Sequence, residues 1–173
     1  VSRLASLITG YILDEAPSMF VGTFGITSES GVNVNRDRIM HYAHNSGLIH
    51  DIGKIMCTDV VNLQFRKICD LEFDIVKKHA GRGSEMIKYI PALAEYNDVV
   101  LGHHKYYNGK GGYPQEFDNT KSEYRIFIDI IKLFDCIDTA TDGLGRNYAR
   151  TKKFKDVLAE FEFGKGTKYS DRL

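Results

Sequence analysis

The sequence predicts a single all-α domain, and three observations lead to that prediction. Apolar residues recur at intervals of three and four along much of the 173-residue chain, which is the spacing of amphipathic helices. Alternation of apolar and polar residues, which would indicate β-strands, is nearly absent. The three prolines, Pro17, Pro91 and Pro114, all fall where the helical periodicity breaks. This length suits one domain better than two.

The first part of the chain is predicted to hold two helices. The helix over residues 1–15 is indicated by an apolar stripe at helical spacing. The stripe comprises Leu4, Leu7, Ile8 and Tyr11. Residues 22–31 are rich in glycine and serine and are expected to form a connection without regular structure. The second helix is predicted over 36–51, with Asn33 or Asn35 as its N-cap.

The middle of the chain is predicted to be helical with two interruptions. A helix is expected from about 70 to 80, with a break at Gly81 and Gly83 and a further turn or two to Tyr89. Residues 91–104 are expected to be helical because Pro91 suits a first turn.

The last part of the chain is predicted to begin with a loop and to continue as two helices. The loop, over 105–121, is rich in glycine and tyrosine. The helix over 122–141 is the most apolar of the set, and the last helix covers about 151–162.

Composition excludes several classes of protein. Hydrophobic residues make up 43% and charged residues 27%, which argues against disorder. Twenty-three basic and 23 acidic residues give zero net charge, so no global electrostatic case exists for binding DNA or a membrane surface. No apolar run approaches the roughly 18 residues that cross a bilayer, so no membrane insertion is expected.

The cysteines and the first residue bear on cellular context. Cys57, Cys69 and Cys136 are odd in number and unrelated in spacing, so a cytoplasmic location is expected. The chain begins with Val1 rather than Met, which suggests one domain, residues 1–173, taken from a longer signalling protein.

The first candidate for chemistry is the adjacent pair His50 and Asp51, near the predicted end of a helix. Consecutive helical residues project about 100° apart, so both side chains can approach one metal ion. Taken alone, the pair is better explained by a polar helix end that terminates at Gly53.

Three further histidines belong to the same class of candidate. His79 follows Ile75 by four residues, so it lies toward the apolar side of its predicted helix. His103 and His104 follow an apolar run, and imidazole suits zinc, iron and related ions. Taken alone, His79 is better explained as a core histidine or a helix-end cation, and the pair at 103–104 as surface histidines at a helix end.

Two carboxylates lie in the most apolar predicted helix. Asp135 follows Ile131 by four residues, and a buried carboxylate there is costly unless it is paired or bound to a metal. A salt bridge to Arg125 or Lys132 is the alternative for Asp135, and a plain polar role is the alternative for Asp138.

Together these features predict a multi-metal hydrolytic site built from separate helices. The expected ligands are His50, Asp51, His79, His103, His104 and Asp135. Nitrogen and oxygen ligands on facing helices are an established way to build such sites. No cysteine is among them, which disfavours a structural zinc finger or a redox cluster.

The order of these motifs resembles the HD-GYP branch of the HD superfamily. The pairs at 50–51 and 103–104 are followed by Gly112-Tyr113-Pro114 and then by the stretch 135–141, which is similar to the family's Asp-x-x-Asp-Ala-Leu-Thr. The resemblance implies an all-α, HD-type helical bundle with a buried multi-metal site. It also implies a metal-dependent phosphodiesterase that acts on cyclic di-GMP or a related cyclic dinucleotide.

The resemblance assigns roles residue by residue. It implies two or three divalent ions, iron or manganese foremost, on the six ligands above, with Asp51 bridging two ions. Lys54 would lie near the scissile phosphate and join Asp51 as a catalytic residue. Gly112, Tyr113 and Pro114 would border the substrate and contact signalling partners.

The chain also departs from the family pattern. Lys105 and Asn108 stand where the family usually has Glu and Asp, and the loop before Gly112 is one residue longer. The family places a further histidine on its first helix, at or before the position of Val1. His41 and His44 match no motif, so we expect them to be bystanders.

The resulting hypothesis is phosphodiester hydrolysis by a metal-bridged hydroxide. Two alternatives remain open at this stage. One is a different HD-type phosphohydrolase acting on nucleotides or alarmones. The other is a metal-poor signalling module that binds a nucleotide or a partner without turnover, which Lys105 and Asn108 favour.

Overall fold

The fold is all-helical, as the sequence predicted, in a computed structural model that describes residues 1–61, 68–142 and 151–173. No β-strand occurs in these ranges; the only β-type pairing among them is an isolated bridge between Lys165 and Tyr169. The described residues form the following α-helices: α1 Ser2–Glu15, α2 Glu29–Val34, α3 Arg36–Ile49, α4 Thr58–Val61, α5 Asp70–Lys77, α6 His79–Ile87, α7 Asn97–Gly102, α8 Arg125–Thr141 and α9 Phe154–Gly164. Short 3-10 helices lie between them at Pro17–Phe20, Thr23–Gly25, Ile52–Cys57, Ala94–Tyr96 and Asn119–Lys121.

Helix α1 has the predicted extent, but the prediction of its buried face was wrong. Leu7 and Tyr11 of the apolar stripe are 71% and 63% exposed, and Leu4 is exposed as well. The buried face instead carries Ala5 and Ile12, with Leu13 beside them. Small side chains let this face approach α3 closely, so packing rather than hydrophobicity alone decides which side is buried.

The close approach of α1 to α3 is visible at Gly47. A Cβ atom on Gly47 would overlap the backbone of Ser2, so only glycine allows this contact. Ser2 is itself buried, and its hydroxyl donates to the carbonyl oxygen of His44 at 2.8 Å. The start of α1 is therefore held against the last turns of α3.

Residues 22–31 are more ordered than the sequence predicted. Their C-terminal part belongs to α2, where the hydroxyl of Ser28 accepts a hydrogen bond from the backbone nitrogen of Gly31 at 3.2 Å. Val32 is fully buried, which fixes this short helix to the core. Of the two predicted N-caps for α3, Asn35 occupies the position, but its amide donates back to Gly31 rather than capping α3.

The predicted break at Gly81 and Gly83 was also wrong. The chain breaks at Lys78, between α5 and α6, and both glycines lie inside α6. Gly83 packs against the backbone of Gly53, so here glycine permits close packing instead of ending a helix. The helix predicted over 91–104 is shorter in the structure, where α7 follows a 3-10 turn.

Helix α8 forms the centre of the core. Its buried residues include Phe127, Ile128, Ile130 and Ile131. The helix contacts α1, α3 and α7, and α6 packs against both α7 and the 3-10 helix Ile52–Cys57. This arrangement brings the end of α3, the start of α6, the end of α7 and the middle of α8 together.

Within the described ranges, no helix combines the length and apolar character needed to cross a bilayer. The assignment of 1–173 to one domain stays a prediction.

Candidate metal centre

The first two predicted ligands lie where α3 gives way to a 3-10 helix. His50 follows the last residue of α3, and its backbone nitrogen still donates to the carbonyl of Ser46 at 3.0 Å. Asp51 is the N-cap of the 3-10 helix, which also carries Lys54. The change of helix type turns these neighbouring side chains toward the core without any break in the chain.

The remaining ligands come from three other elements. His79 is the first residue of α6, His103 and His104 directly follow α7, and Asp135 lies in the middle of α8. All six predicted ligands are brought together in two groups that could hold metal ions. The first group is Asp51, His79, His103 and His104, and the second is His50, Asp51 and Asp135. In each group, one donor atom per residue lies within 4.8 Å of the others.

Three of the histidines are oriented by the same local device. The Nδ1 atom of His50 lies 3.0 Å from the carbonyl oxygen of Gly47, three residues earlier. His79 and His103 repeat this pattern toward the carbonyls of residues 76 and 100, at 2.6 and 2.9 Å. Because a carbonyl oxygen only accepts, Nδ1 of each ring is the donor in these contacts, which leaves Nε2 as the atom that can face a metal.

Asp51 lies between the two groups. Its Oδ1 is 3.2 Å from Nε2 of His79 and 3.7 Å from Nε2 of His103. Its Oδ2 is 3.4 Å from Nε2 of His50 and 2.5 Å from Nζ of Lys54. The carboxylate thus faces both groups at once, as the predicted bridging role of Asp51 requires.

Asp135 faces His50 and His104, and it forms no ion pair with Arg125 or Lys132. Its Oδ1 is 3.8 Å from Nε2 of His50, and its Oδ2 is 4.0 Å from Nδ1 of His104. Arg125 lies near Asp129 instead, with 3.7 Å between Nε and Oδ2. The salt-bridge explanation for Asp135 is therefore not the one found.

The acidic side of the centre favours positive charge. Burial alone would raise the pKa of Asp51 and of Asp135, but the close approach of the His50 imidazole and other positive charges hold both pKa values well below the usual range. Burial alone would lower the pKa of His50, yet the nearby carboxylates of Asp135 and Asp51 raise it to about 9. The two carboxylates thus draw a cation, or a proton, to this position.

The opposite side of the centre favours neutral imidazoles. Burial, reinforced by the charge of His50, lowers the pKa of His103 to about 3, and burial with the charge of His103 lowers the pKa of His104. Three buried polar atoms have no hydrogen-bond partner: Nε2 of His50, Oδ1 of Asp51 and Nε2 of His104. Neutral imidazoles, ionised carboxylates and buried polar atoms without a partner fit a site for a divalent metal ion.

The centre is buried on one side and open on the other. His79 and His103 are essentially inaccessible, whereas the side chains of Asp51, Lys54 and His104 are 28%, 25% and 21% exposed. A substrate would therefore meet Asp51, Lys54 and His104 first.

The predicted substrate-binding loop covers His104. The ring of Tyr113 stacks on the imidazole of His104 with centroids 4.4 Å apart. Gly112 has a φ of 76°, and a Cβ there would overlap the carbonyl of His104. Pro114 follows through a cis peptide bond. The loop thus packs directly on a predicted ligand.

The two predicted bystanders lie outside the centre. His44 is exposed, with Nδ1 3.0 Å from the hydroxyl of Ser2, and His41 lines a surface groove of about 330 Å³ beside Tyr42 and Glu95. That groove shares no residue with the metal centre. Asp138 is exposed near the C-terminal end of α8, which agrees with the alternative that it has only a polar surface role.

Sequence reasoning missed one buried group beside the centre. Lys132 is 4% exposed, and its Nζ donates to the carbonyl oxygen of His104 at 3.3 Å. The available signal was a lysine in the most apolar helix, three residues before Asp135, for which the sequence suggested only a salt bridge.

Comparison with curated proteins finds relatives with a common named activity. A cyclic di-GMP phosphodiesterase of Pseudomonas aeruginosa is 36% identical over 81 residues, or 45% of this chain and 19% of the relative. A cyclic di-GMP phosphodiesterase of Thermotoga maritima is 28% identical over 127 residues, or 72% of this chain and 33% of the relative. The matches thus span a fifth and a third of these relatives' lengths. No family model matches the chain.

Proposed function

We propose that this chain is a metal-dependent phosphodiesterase of the HD-GYP type that hydrolyses cyclic di-GMP or a related cyclic dinucleotide. The resemblance predicted from the motifs agrees with the activity named for both relatives. The observation that carries the proposal is the pair of overlapping ligand groups that share Asp51. Two adjacent cation positions with one common carboxylate suit a reaction in which charge develops on phosphate oxygens.

The six ligands would hold two divalent ions, iron or manganese by preference, because the donors are imidazole and carboxylate without thiolate. Such ions supply an activated water near neutral pH and neutralise the phosphate. The Nδ1–carbonyl contacts keep three imidazoles in one orientation before any metal enters. These imidazoles therefore need no reorientation during the reaction.

We assign to Lys54 the stabilisation of the negative charge that develops on the phosphate during the reaction. Its ammonium lies against Asp51 on the open side, where a phosphodiester would approach. Burial of His79 and His103 beneath this position keeps water away from the inner side of the centre. Tyr113 and its loop would then form the wall against which the dinucleotide binds, and would offer partners a surface linked to the substrate.

The test is metal content and cleavage of cyclic di-GMP by the wild type and by His50→Ala and Asp51→Ala. We expect both variants to lose metal and at least about 100-fold in turnover. His41→Ala is the matched control, since it removes an exposed histidine outside the centre and should retain both properties. Equal turnover by all four proteins would refute the site.

The same samples separate the alternatives. Hydrolysis of nucleoside triphosphates or alarmones in preference to cyclic dinucleotides would identify another HD-type phosphohydrolase. Tight binding of cyclic di-GMP without cleavage, by metal-loaded protein, would identify a binding module. We further propose a cytoplasmic location, since cyclic dinucleotides are intracellular signals and the three cysteines are free.

A further inference from the structure

The segment 104–107 is held by side chains from later parts of the chain. Three of its backbone carbonyls each accept a hydrogen bond from a different side chain. The contacts are Lys132 to His104 at 3.3 Å, Asn119 to Tyr106 at 3.1 Å and Arg125 to Tyr107 at 2.7 Å. A loop fixed at three nearly consecutive peptides has little freedom to move relative to the elements that provide the donors.

Lys132 is the unusual member of this set because it is a buried cation. Within 1–61, 68–142 and 151–173, no carboxylate lies within 4 Å of its Nζ. Its charge is instead accommodated by the carbonyl of His104 and by two rings, with Nζ 5.2 Å from the centroid of Tyr106 and 5.9 Å from that of Tyr169. A buried ammonium without an ion pair is costly, so its presence calls for an explanation beyond packing.

The position of Lys132 on α8 connects two ligands of the metal centre. Asp135 follows it by three residues, so both side chains leave the helix on neighbouring faces. One rigid, buried helix therefore supplies Asp135 directly and holds the peptide of His104 through Lys132. These two ligands face each other across 4.0 Å, although 31 residues of sequence separate them.

We propose that Lys132 is a positioning residue that sets His104 relative to Asp135 and thereby tunes metal affinity. The inference rests on the proposed metal centre. It assigns no contact between Lys132 and substrate; the lysine acts through the peptide of His104. Removing its ammonium would leave a buried carbonyl without its donor and would free the imidazole to shift with its peptide.

The test is titration of the metal-free protein with Co²⁺, followed by visible absorption, which reports ligand number and geometry. Lys132→Met removes the donor and keeps an apolar chain of similar length. We expect about a tenfold weaker Co²⁺ affinity and an altered spectrum. Lys132→Arg keeps a cationic donor and should lie closer to the wild type than Lys132→Met. Ile130→Val is the matched control, since it trims a fully buried apolar side chain of the same helix and removes no hydrogen-bond donor.

A purely structural lysine gives a different pattern. Lys132→Met would then lower the melting temperature, as Ile130→Val does, with the wild-type Co²⁺ affinity and spectrum, and this result would overturn the inference. Co²⁺ binding does not depend on turnover. Wild-type protein that binds Co²⁺ but does not cleave cyclic dinucleotides refutes the proposed function and leaves the role of Lys132 to be decided by the titration. If cleavage is found, kcat should fall in Lys132→Met while KM stays unchanged.

Discussion

His79 and His103 point their Nε2 atoms at each other across 3.2 Å. Both rings have Nδ1 against a backbone carbonyl, which leaves their Nε2 atoms directed at the same place. Oδ1 of Asp51 lies 3.2 Å from Nε2 of His79 and 3.7 Å from Nε2 of His103. A cation bound here would contact all three atoms.

The first prediction is that metal stabilises the fold through this pair. Mn²⁺ at about 100 times its dissociation constant should add about 2.7 kcal/mol, or roughly 5–10 °C in melting temperature. His103→Ala should lose most of this shift, whereas His44→Ala, which changes an exposed histidine, should keep it. Differential scanning fluorimetry with Mn²⁺ and with EDTA measures both. An equal shift in the two variants would contradict the assignment.

The second prediction concerns the charge of Lys54. Lys54→Met should lower kcat for cyclic di-GMP by a factor of about 100 while metal content stays at the wild-type level, because the ammonium acts on developing negative charge. Lys88→Met is the control, since Lys88 also pairs with a carboxylate three residues away, Glu85 at 2.6 Å, but on the surface. Steady-state kinetics with metal analysis makes the comparison. A change in KM alone would place Lys54 in substrate binding only.

The third prediction uses two glycines. A Cβ on Gly53 would overlap the carbonyl oxygen of His79, so Gly53→Ala should cost about 1–3 kcal/mol in unfolding free energy and weaken metal binding. Gly81 lies in α6, and a Cβ atom there would meet nothing within 4 Å, so Gly81→Ala should gain up to about 1 kcal/mol. Urea denaturation distinguishes them. Similar stabilities for both variants would be evidence against the tight contact.

The fourth prediction separates the ring of Tyr113 from its hydroxyl. Tyr113→Ala removes the stack on His104 and should raise KM for cyclic di-GMP by up to about tenfold, which corresponds to about 0.5–1.5 kcal/mol of lost ring contact. Tyr113→Phe keeps the ring and should behave like the wild type. A loss of the same size in Tyr113→Phe would show that the hydroxyl matters instead.

The fifth prediction is a pH dependence of stability due to Asp129. Burial raises the pKa of Asp129 to about 7. The positive charges of Arg125 and Lys132 oppose this rise, and the negative charge of Asp171 adds to it. Oδ1 of Asp129 has no hydrogen-bond partner. The native state therefore keeps a proton that the unfolded chain releases near pH 3.8, so this group's stabilisation is full below about pH 4 and is lost as the pH rises through 7.

Asp129→Asn should remove this dependence. We expect it to be more stable than the wild type by about 1–3 kcal/mol at pH 8 and similar at pH 4. Asp74→Asn changes an exposed carboxylate and should leave the pH profile unchanged. Urea denaturation from pH 4 to 8 gives the profiles. Parallel wild-type and Asp129→Asn curves would contradict the raised pKa.

The residues that meet in the candidate metal centre could be predicted from the sequence because they belong to short motifs that are recognisable without knowledge of the fold. The pairs at 50–51 and 103–104 needed only their order along the chain to be recognised. Their geometry could not be predicted, since the Nδ1–carbonyl contacts depend on how α3 and α7 end. The contact made by Lys132 could not be predicted for a similar reason, because its partner is a backbone carbonyl 28 residues away.

The wrong predictions have a common physical origin. Hydrophobicity favoured Leu7 as a buried residue of α1, but close packing of Ala5 against α3 decided which face is buried. Glycine propensity favoured a break at Gly81 and Gly83, but α6 continues through both, and Gly83 lets the helix pack closely on the neighbouring 3-10 helix. Local preference loses to tertiary contact where two backbones approach closely.

The shared position of Asp51 has a consequence for how the centre fills. In the proposed centre, a cation bound by Oδ1 together with His79 and His103 would orient Oδ2 toward His50, which belongs to the second group. Occupancy of one group would then change the affinity of the other, by the same factor in both directions. Substitution of Asp51 should remove this coupling between the two groups.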